Sequence, residues 1–169
     1  DLRRPVHDFL PAFRGGAKDR VTVFHLLTHS SGLDWWGPLY KELSGPEAYR
    51  RRIESMDLVY EPGTKSLYSD LGIFLLGEVL QRAAGETLEA FARRRVLDPL
   101  GMKDTAYRPG PELLPRIAPT EEDPWRGRIL RGEVHDENAF ALGGVAPHAG
   151  LFGTAPDLAR FAQMLLQGG

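Results

Sequence analysis

Cysteine is absent, which excludes disulfides and thiol catalysis and leaves the redox compartment unmarked. Apolar runs stop at the length of Ile73-Phe74-Leu75-Leu76, far short of the roughly 20 residues that cross a bilayer as a helix. No membrane-spanning segment is therefore expected. An excess of one charge is also lacking. The net charge is -2, and the basic triplets Arg50-Arg51-Arg52 and Arg93-Arg94-Arg95 carry no interleaved aromatics. Both read as solvated helix faces, with no footing for nucleic acid. A complete metal-ligand set is missing too, although one His pair has zinc-pair spacing. His25 and His29 are four apart, but no Glu lies between them and no third ligand is evident, so local hydrogen bonding at a helix end is expected. His135-Asp136-Glu137-Asn138 reads as a polar turn in which Asp136 or Asn138 bonds backbone. No metal and no cofactor are expected. The chain has no initial Met and no basic-then-apolar leader, so it reads as a piece of a longer polypeptide, cytoplasmic or periplasmic/secreted. Finally, none of Ser30, Ser31, Ser44, Ser55, Ser66 and Ser69 has a Lys three residues later, so the chain contains no Ser-x-x-Lys.

What is present belongs to an ordinary globular protein: 169 residues, 42% hydrophobic and 26% charged, enough for one domain over 1–169 with a real core. Thr22 is placed to cap a short helix through His29, stopped by Ser31-Gly32. Ser44-Gly45-Pro46-Glu47 starts a helix to about Met56, with Pro in the first turn. The strongest helix runs from Asp70, read as its cap, to Ala84 before Gly85. Leu71, Phe74, Leu75 and Val79 form one apolar stripe, and Leu76, Leu80 and Ala83 a second, so this helix is expected to be largely buried. Thr87 to Leu97 reads as a further helix with Leu88, Phe91 and Ala92 inward. The five prolines between Pro109 and Trp125 mark a mostly extended loop. Arg128 to Val134 reads as a short strand or hairpin. Thr154-Ala155-Pro156-Asp157 is a capping-box start for a one-sided helix carrying Leu158, Phe161, Ala162, Leu165 and Leu166. The fold class is mainly α with long loops and little strand.

The segment Glu61-Pro62-Gly63 to Tyr68-Ser69-Asp70 carries the chemistry. A Tyr and a short polar side chain two residues apart, at a helix start, can both face a cleft. A plain reading makes Tyr68 a rim tyrosine and Asp70 a helix cap worth about 1 kcal/mol.

Taken in order, Val21 to Leu33 (with Leu26-Leu27-Thr28-His29-Ser30-Ser31-Gly32-Leu33), Glu61-Pro62-Gly63 through Tyr68-Ser69-Asp70, Leu75-Leu76-Gly77-Glu78, Pro99 to Thr105, Ala149-Gly150-Leu151-Phe152-Gly153-Thr154-Ala155 and Asp157 to Phe161 resemble the β-lactamase-related serine hydrolases. That group holds class C β-lactamases, DD-peptidases and similar esterases. The resemblance covers nearly the whole chain. It implies the helical subdomain of a β-lactamase/transpeptidase-like α+β fold, without most of its antiparallel sheet. Of the three motifs such enzymes use, it matches Tyr68-Ser69-Asp70 to Tyr-x-Asn. Ser-x-x-Lys and Lys-Thr-Gly or His-Thr-Gly are expected before Asp1 and after Gly169, which makes the chain a middle fragment.

By the same resemblance Tyr68 and Asp70 are the catalytic residues. A phenol titrates at about pH 10, but its phenolate is favoured beside a Lys ammonium, so Tyr68 would take the Ser proton or pass it to the leaving group. Asp70 stands where Asn is usual. A carboxylate only accepts; it can hold the Lys ammonium but cannot donate to a substrate amide carbonyl. That tilts the substrate from a β-lactam toward an ester or a D-Ala peptide. Trp35 and Trp36 border the cleft in relatives; they either line its entrance or pack on the helices. His148-Ala149-Gly150 imitates a His-Thr-Gly motif, yet it precedes a helix and matches the family's small-residue turn. His148 and Gly150 are substrate-binding candidates on that imitation. Gly143, Gly144 and Gly150 are expected to let backbone pass close to another element.

Two functions follow. One is part of a bacterial serine hydrolase working through an acyl-enzyme on a small-molecule or peptide substrate, the chain alone being inactive. The other is a non-catalytic binding or scaffold protein on the same fold. Apolar faces around Leu151 and Phe152, left without a sheet, are expected to favour self-association.

Overall fold

A computed structural model describes residues 1–169, which divide into two compact units: Asp1–Glu86 with Ala146–His148, and Thr87–Val145 with Ala149–Gly169. Helix and loop dominate both, and no helix is long and apolar enough to cross a membrane.

The first unit holds three α-helices: α1 (Val23–Leu27), α2 (Pro46–Ser55) and α3 (Asp70–Ala84). Thr22 caps α1 and forms a capping box in which His25 is the reciprocal partner: the His25 amide donates to Thr22 Oγ1 at 3.4 Å, and the Thr22 amide to His25 Nδ1 at 3.1 Å. The helix ends before His29, which adopts a left-handed backbone at φ 53° rather than continuing the helix. Pro46 opens α2 as the sequence implies. The α3 boundaries also match, including Gly85 in the left-handed conformation behind it. The cap itself is Ser69, not Asp70: Ser69 Oγ accepts the Gly72 amide at 3.0 Å, and Asp70 is the first helical residue.

Leu71, Phe74, Leu75 and Val79 on α3 are buried, with α1 and α2 packed against this helix. Each such side chain contributes about 1.5–3 kcal/mol of transfer free energy. The second stripe is not core: Leu76 and Leu80 are half-buried and Ala83 is exposed. Tyr49 of α2 meets Phe74 with ring centroids 6.0 Å apart. Lys18, nearly buried, donates to the Glu54 carbonyl at 2.9 Å, placing a cation at the negative end of α2. Arg50 departs from the solvated face expected of its triplet. It bonds Glu54 at 3.0 and 3.1 Å and Glu47 at 2.5 Å, and lies 3.9 Å from Glu78 of α3. Burial pushes the Glu78 carboxyl above its usual range, against the pull of Arg82 and Arg50. At Gly77 an added Cβ would stand 2.7 Å from Pro147, so glycine lets the Ala146–His148 segment pack on α3.

The second unit has less regular structure. The expected helix from Thr87 winds as α4 (Leu88–Ala92) and continues as a π-helical turn, Arg93–Leu97, with Leu88, Phe91 and Ala92 only half-buried. Strands β1 (Ala106–Tyr107) and β4 (Leu151–Phe152) pair antiparallel, Ala106 opposite Phe152. Strands β2 (Glu122–Asp123) and β3 (Arg128–Ile129) form a hairpin that lies earlier than expected, so of the range Arg128 to Val134 only Arg128–Ile129 is strand. The segment read as a polar turn opens a helix instead, α5 (Glu137–Ala141), capped by Asp136, whose side chain accepts the Ala139 amide at 2.6 Å; the backbone bonding expected of Asp136 is thus a helix cap. Helix α6 (Ala155–Leu166) is capped by Thr154. The anticipated capping box does not close. The Asp157 carboxylate instead accepts the Asp104 amide and the Thr105 hydroxyl, both at 2.9 Å, and an Arg160 N–H at 2.5 Å.

Asp123 is a second buried carboxylate of this unit. It accepts the Trp125 and Arg126 amides at 2.7 and 3.0 Å and is ion-paired with the buried Arg126 guanidinium. Arg126 also donates to the Val134 and His135 carbonyls at 2.8 and 2.6 Å. Burial works against the Asp123 charge, but these donors outweigh it and hold its carboxyl below the usual range.

Candidate active site

The platform under Tyr68 is built by two crossing segments of the first unit, residues 28–35 and 59–70. The Val59 amide donates to Gly32 C=O at 2.7 Å and the Gly63 amide to Ser30 C=O at 2.8 Å. The Leu67 amide donates to His29 C=O at 2.8 Å, and the Asp70 amide to Trp35 C=O at 2.9 Å. Side chains add to the lacing: Ser66 Oγ donates to Thr28 C=O at 2.9 Å, Ser69 Oγ to Asp34 C=O at 2.6 Å and Tyr60 OH to His29 C=O at 3.1 Å. Extended backbone outside a sheet satisfies its polar groups this way. Gly32 is required: at φ 91° an added Cβ would lie 2.3 Å from the Tyr60 carbonyl oxygen.

On this platform Tyr68 is 57% exposed, not sealed among apolar neighbours. Its ring stacks on the His29 imidazole, centroids 4.7 Å apart and planes inclined at 37°. His29 Nδ1 accepts the Ser69 amide at 3.1 Å. The main chain of His29 bonds locally, its amide donating to Leu26 C=O at 3.2 Å, but its ring reaches a partner forty residues along the chain. His25 does bond locally, at the start of α1.

Asp70 is half-buried on the first turn of α3, where the helix dipole favours a carboxylate. One ligand atom each of Asp70 and His148 lie within 4.8 Å of one another. Trp35 is exposed and Trp36 half-buried, their rings 5.8 Å apart. Tyr68, Asp70, the Trp pair and His148 all belong to the first unit. Gly150 belongs to the second, where at φ 111° an added Cβ would stand 2.6 Å from Gly144 O, the close backbone passage expected there. Gly150 leads directly into β4, so a short paired strand intervenes before α6, contrary to the reading of a bare turn. A cavity of about 600 Å³ in the second unit is lined by Lys103, Arg116, Glu133, His135, Gly150 and Phe152, among others; it contains none of Tyr68, Asp70 and Trp35.

Sequence reasoning missed His29 as a neighbour of Tyr68. Its only local sign is a His at the end of a short helix, before Ser30-Ser31-Gly32, and neither its backbone conformation nor its distant partner follows from that.

A family model described as Beta-lactamase matches residues 1–169, and the chain belongs to the β-lactamase family. It is 32% identical over its whole length to N-acetylmuramyl-L-alanine amidase of Bacillus subtilis strain 168, covering 44% of that protein. It is 28% identical to a Salmonella paratyphi B protein provisionally named a D-alanyl-D-alanine carboxypeptidase, covering 45% of it. The chain therefore spans somewhat under half the length of these curated relatives. Among solved structures, a β-lactamase/D-alanine carboxypeptidase from Pseudomonas syringae superposes with a TM-score of 0.78 at 20% identity, over 100% of this chain and 45% of that one; at this identity the likeness is one of fold. The octameric penicillin-binding protein homologue from Pyrococcus abyssi gives a TM-score of 0.72 at 26% identity, over 99% and 39% of the two chains.

Proposed function

We propose that residues 1–169 form the helical part of a serine hydrolase that works through an acyl-enzyme. In this reading a Ser-x-x-Lys segment outside these residues supplies nucleophile and ammonium. The single observation that carries it is the open Tyr68 phenol on a rigid platform at the start of α3. A base must reach the proton it abstracts, and an enclosed ring could not. Tyr68 accepts the Ser proton and passes it to the leaving group. Asp70, an acceptor on the first turn of α3, holds the Lys ammonium. Trp35, exposed beside this helix start, borders the substrate, and His148 lies on the Asp70 side. The amidase and carboxypeptidase names of the two curated relatives support carbonyl substrates of cell-wall type. The missing side-chain donor at Asp70 weakens recognition of a β-lactam's side-chain amide, which tilts the reading toward esters or peptides.

The test uses a longer polypeptide that contains this chain and a Ser-x-x-Lys. Tyr68→Phe is expected to lower its acylation rate by about 10²–10⁴-fold, the range of general acid–base catalysis. Asp70→Asn, which gains a donor, is expected to raise β-lactam turnover relative to ester turnover. The 169-residue chain alone is expected to give no burst with nitrocefin or a p-nitrophenyl ester. A burst that labels one of its own serines, or a Tyr68→Phe enzyme with undiminished acylation, overturns the proposal; a longer polypeptide that gives no burst at all favours the non-catalytic binding protein.

A further inference from the structure

We infer that His29 is the positioning residue of Tyr68: it fixes where the phenol sits while itself touching neither nucleophile nor substrate. This inference rests on the acid–base reading of Tyr68 given above.

His29 brackets that residue on both sides. Its main-chain carbonyl accepts the amide of Leu67 at 2.8 Å, and its ring nitrogen Nδ1 accepts the amide of Ser69 at 3.1 Å. Between these two bonds the Tyr68 ring lies against the imidazole, 4.7 Å from centroid to centroid. One residue thus holds the main chain before and after Tyr68 and also supports its ring. A stack against a ring that is itself hydrogen-bonded narrows the rotamers open to an exposed aromatic side chain.

The backbone of His29 marks the same function. A φ of 53° is unfavourable for a residue with a β-carbon, and Gly or Asn adopts it more readily. Such a conformation persists where the surroundings over-determine it. Here they do: the His29 amide donates to Leu26 C=O at 3.2 Å, and its carbonyl accepts both the Leu67 amide and Tyr60 OH. Glycine would meet the backbone requirement alone. The imidazole adds the two contacts that act on Tyr68 and its neighbour. With Nδ1 as acceptor, the ring proton is on Nε2, so a neutral imidazole faces the phenol.

His29→Asn separates backbone from ring. Asn tolerates the left-handed conformation, and its Oδ1 can take the Ser69 amide, but no ring remains under Tyr68. In the 169-residue chain this variant is expected to keep its melting temperature and the Ser69 amide shift, while the Tyr68 ring resonances lose their imidazole-induced shift. In the longer acylating polypeptide it is expected to lower the acylation rate about tenfold, as misplacement of a reacting group does, with KM changed by less than about twofold. The double variant His29→Asn/Tyr68→Phe is expected to be no slower than Tyr68→Phe alone, because the imidazole acts through the phenol. Equal slowing by His29→Asn in both backgrounds overturns the inference, as does an unshifted Tyr68 ring or a His29→Asn enzyme at full rate beside a slow Tyr68→Phe. If the unsubstituted polypeptide gives no burst, or Tyr68→Phe is not slowed, the Tyr68 reading fails first and the role of His29 goes with it.

Discussion

Leu10, Phe13, Leu26, Ile53 and Leu75 of the first unit are fully buried, around helices long enough to satisfy their own backbones. The second unit has two-residue strands and helices of one to three turns, and among its most buried side chains are the carboxylates Asp123 and Asp157. Short elements leave many amides and carbonyls outside any ladder, and buried backbone groups must still be paired. Asp157 takes the Asp104 amide, Asp123 takes the Trp125 and Arg126 amides, and Arg126 takes two carbonyls. Where regular structure is scarce, fixed charges do the work that ladders do elsewhere. The crossed loops under Tyr68 solve the same problem inside the first unit with neutral donors and acceptors.

The contrast can be broken from either side, because Trp35 and Trp36 lie in the first unit and Trp125 in the second, and the chain has no other Trp. The largest effect is expected from Leu75→Ala, which removes a fully buried side chain from α3 at a cost of about 2–5 kcal/mol. Urea unfolding followed in a Trp125→Phe background is expected to show it. Next comes Asp157→Ala, which leaves the Asp104 amide and Thr105 hydroxyl without their acceptor, at about 1–3 kcal/mol. A Trp35→Phe/Trp36→Phe background reports that loss through Trp125. Equal shifts of both reporters for both variants would mean that the units unfold as one.

The pH response is expected to separate the units more gently, with opposite signs. Burial raises the Glu78 pKa above 4.5 in the folded state, so its contribution to stability is present below the unfolded value and is lost as pH rises through the raised one. Glu78→Gln is therefore expected to match the parent in acid and exceed it toward neutral pH. The Asp123 pKa is depressed below 3.8, so its contribution is present above that value and lost as pH falls through the folded one. Asp123→Asn is expected to be less stable at neutral pH, with the gap closing in acid. Melting temperatures of both variants from pH 3 to 7 check the two slopes; parallel slopes would contradict the assignment.

The smallest change in stability, within about 0.5 kcal/mol for each substitution, is expected from placing Ser at Leu158, Leu165 and Leu166, the exposed apolar residues of α6. Leu166 is 88% exposed, so little packing is lost there. The effect belongs to self-association: light scattering is expected to show a mass that rises with concentration for the parent and less so for the variant. A concentration-independent monomer in the parent removes that expectation.

Much of the fold was legible along the chain. Thr22, Pro46, Gly85 and Thr154 mark element ends because a cap acts on amides two or three residues away and a left-handed glycine acts on its own turn. The same local chemistry brought Tyr68 and Asp70 to the start of α3. It did not decide between Ser69 and Asp70 as the cap, since both side chains suit the position and the choice went to the hydroxyl that could also reach Asp34 C=O.

Sequence alone thus determined the longer helices, the scarcity of strand and the placing of a phenol at a helix start, because each follows from interactions within one or two turns. Tertiary structure decided which side chains serve at a distance: His29 beside Tyr68, Arg50 between α2 and α3, and Asp157 beneath Asp104 and Thr105. Those partners lie far apart along the chain, and only the packed core brings their atoms within hydrogen-bonding or van der Waals reach.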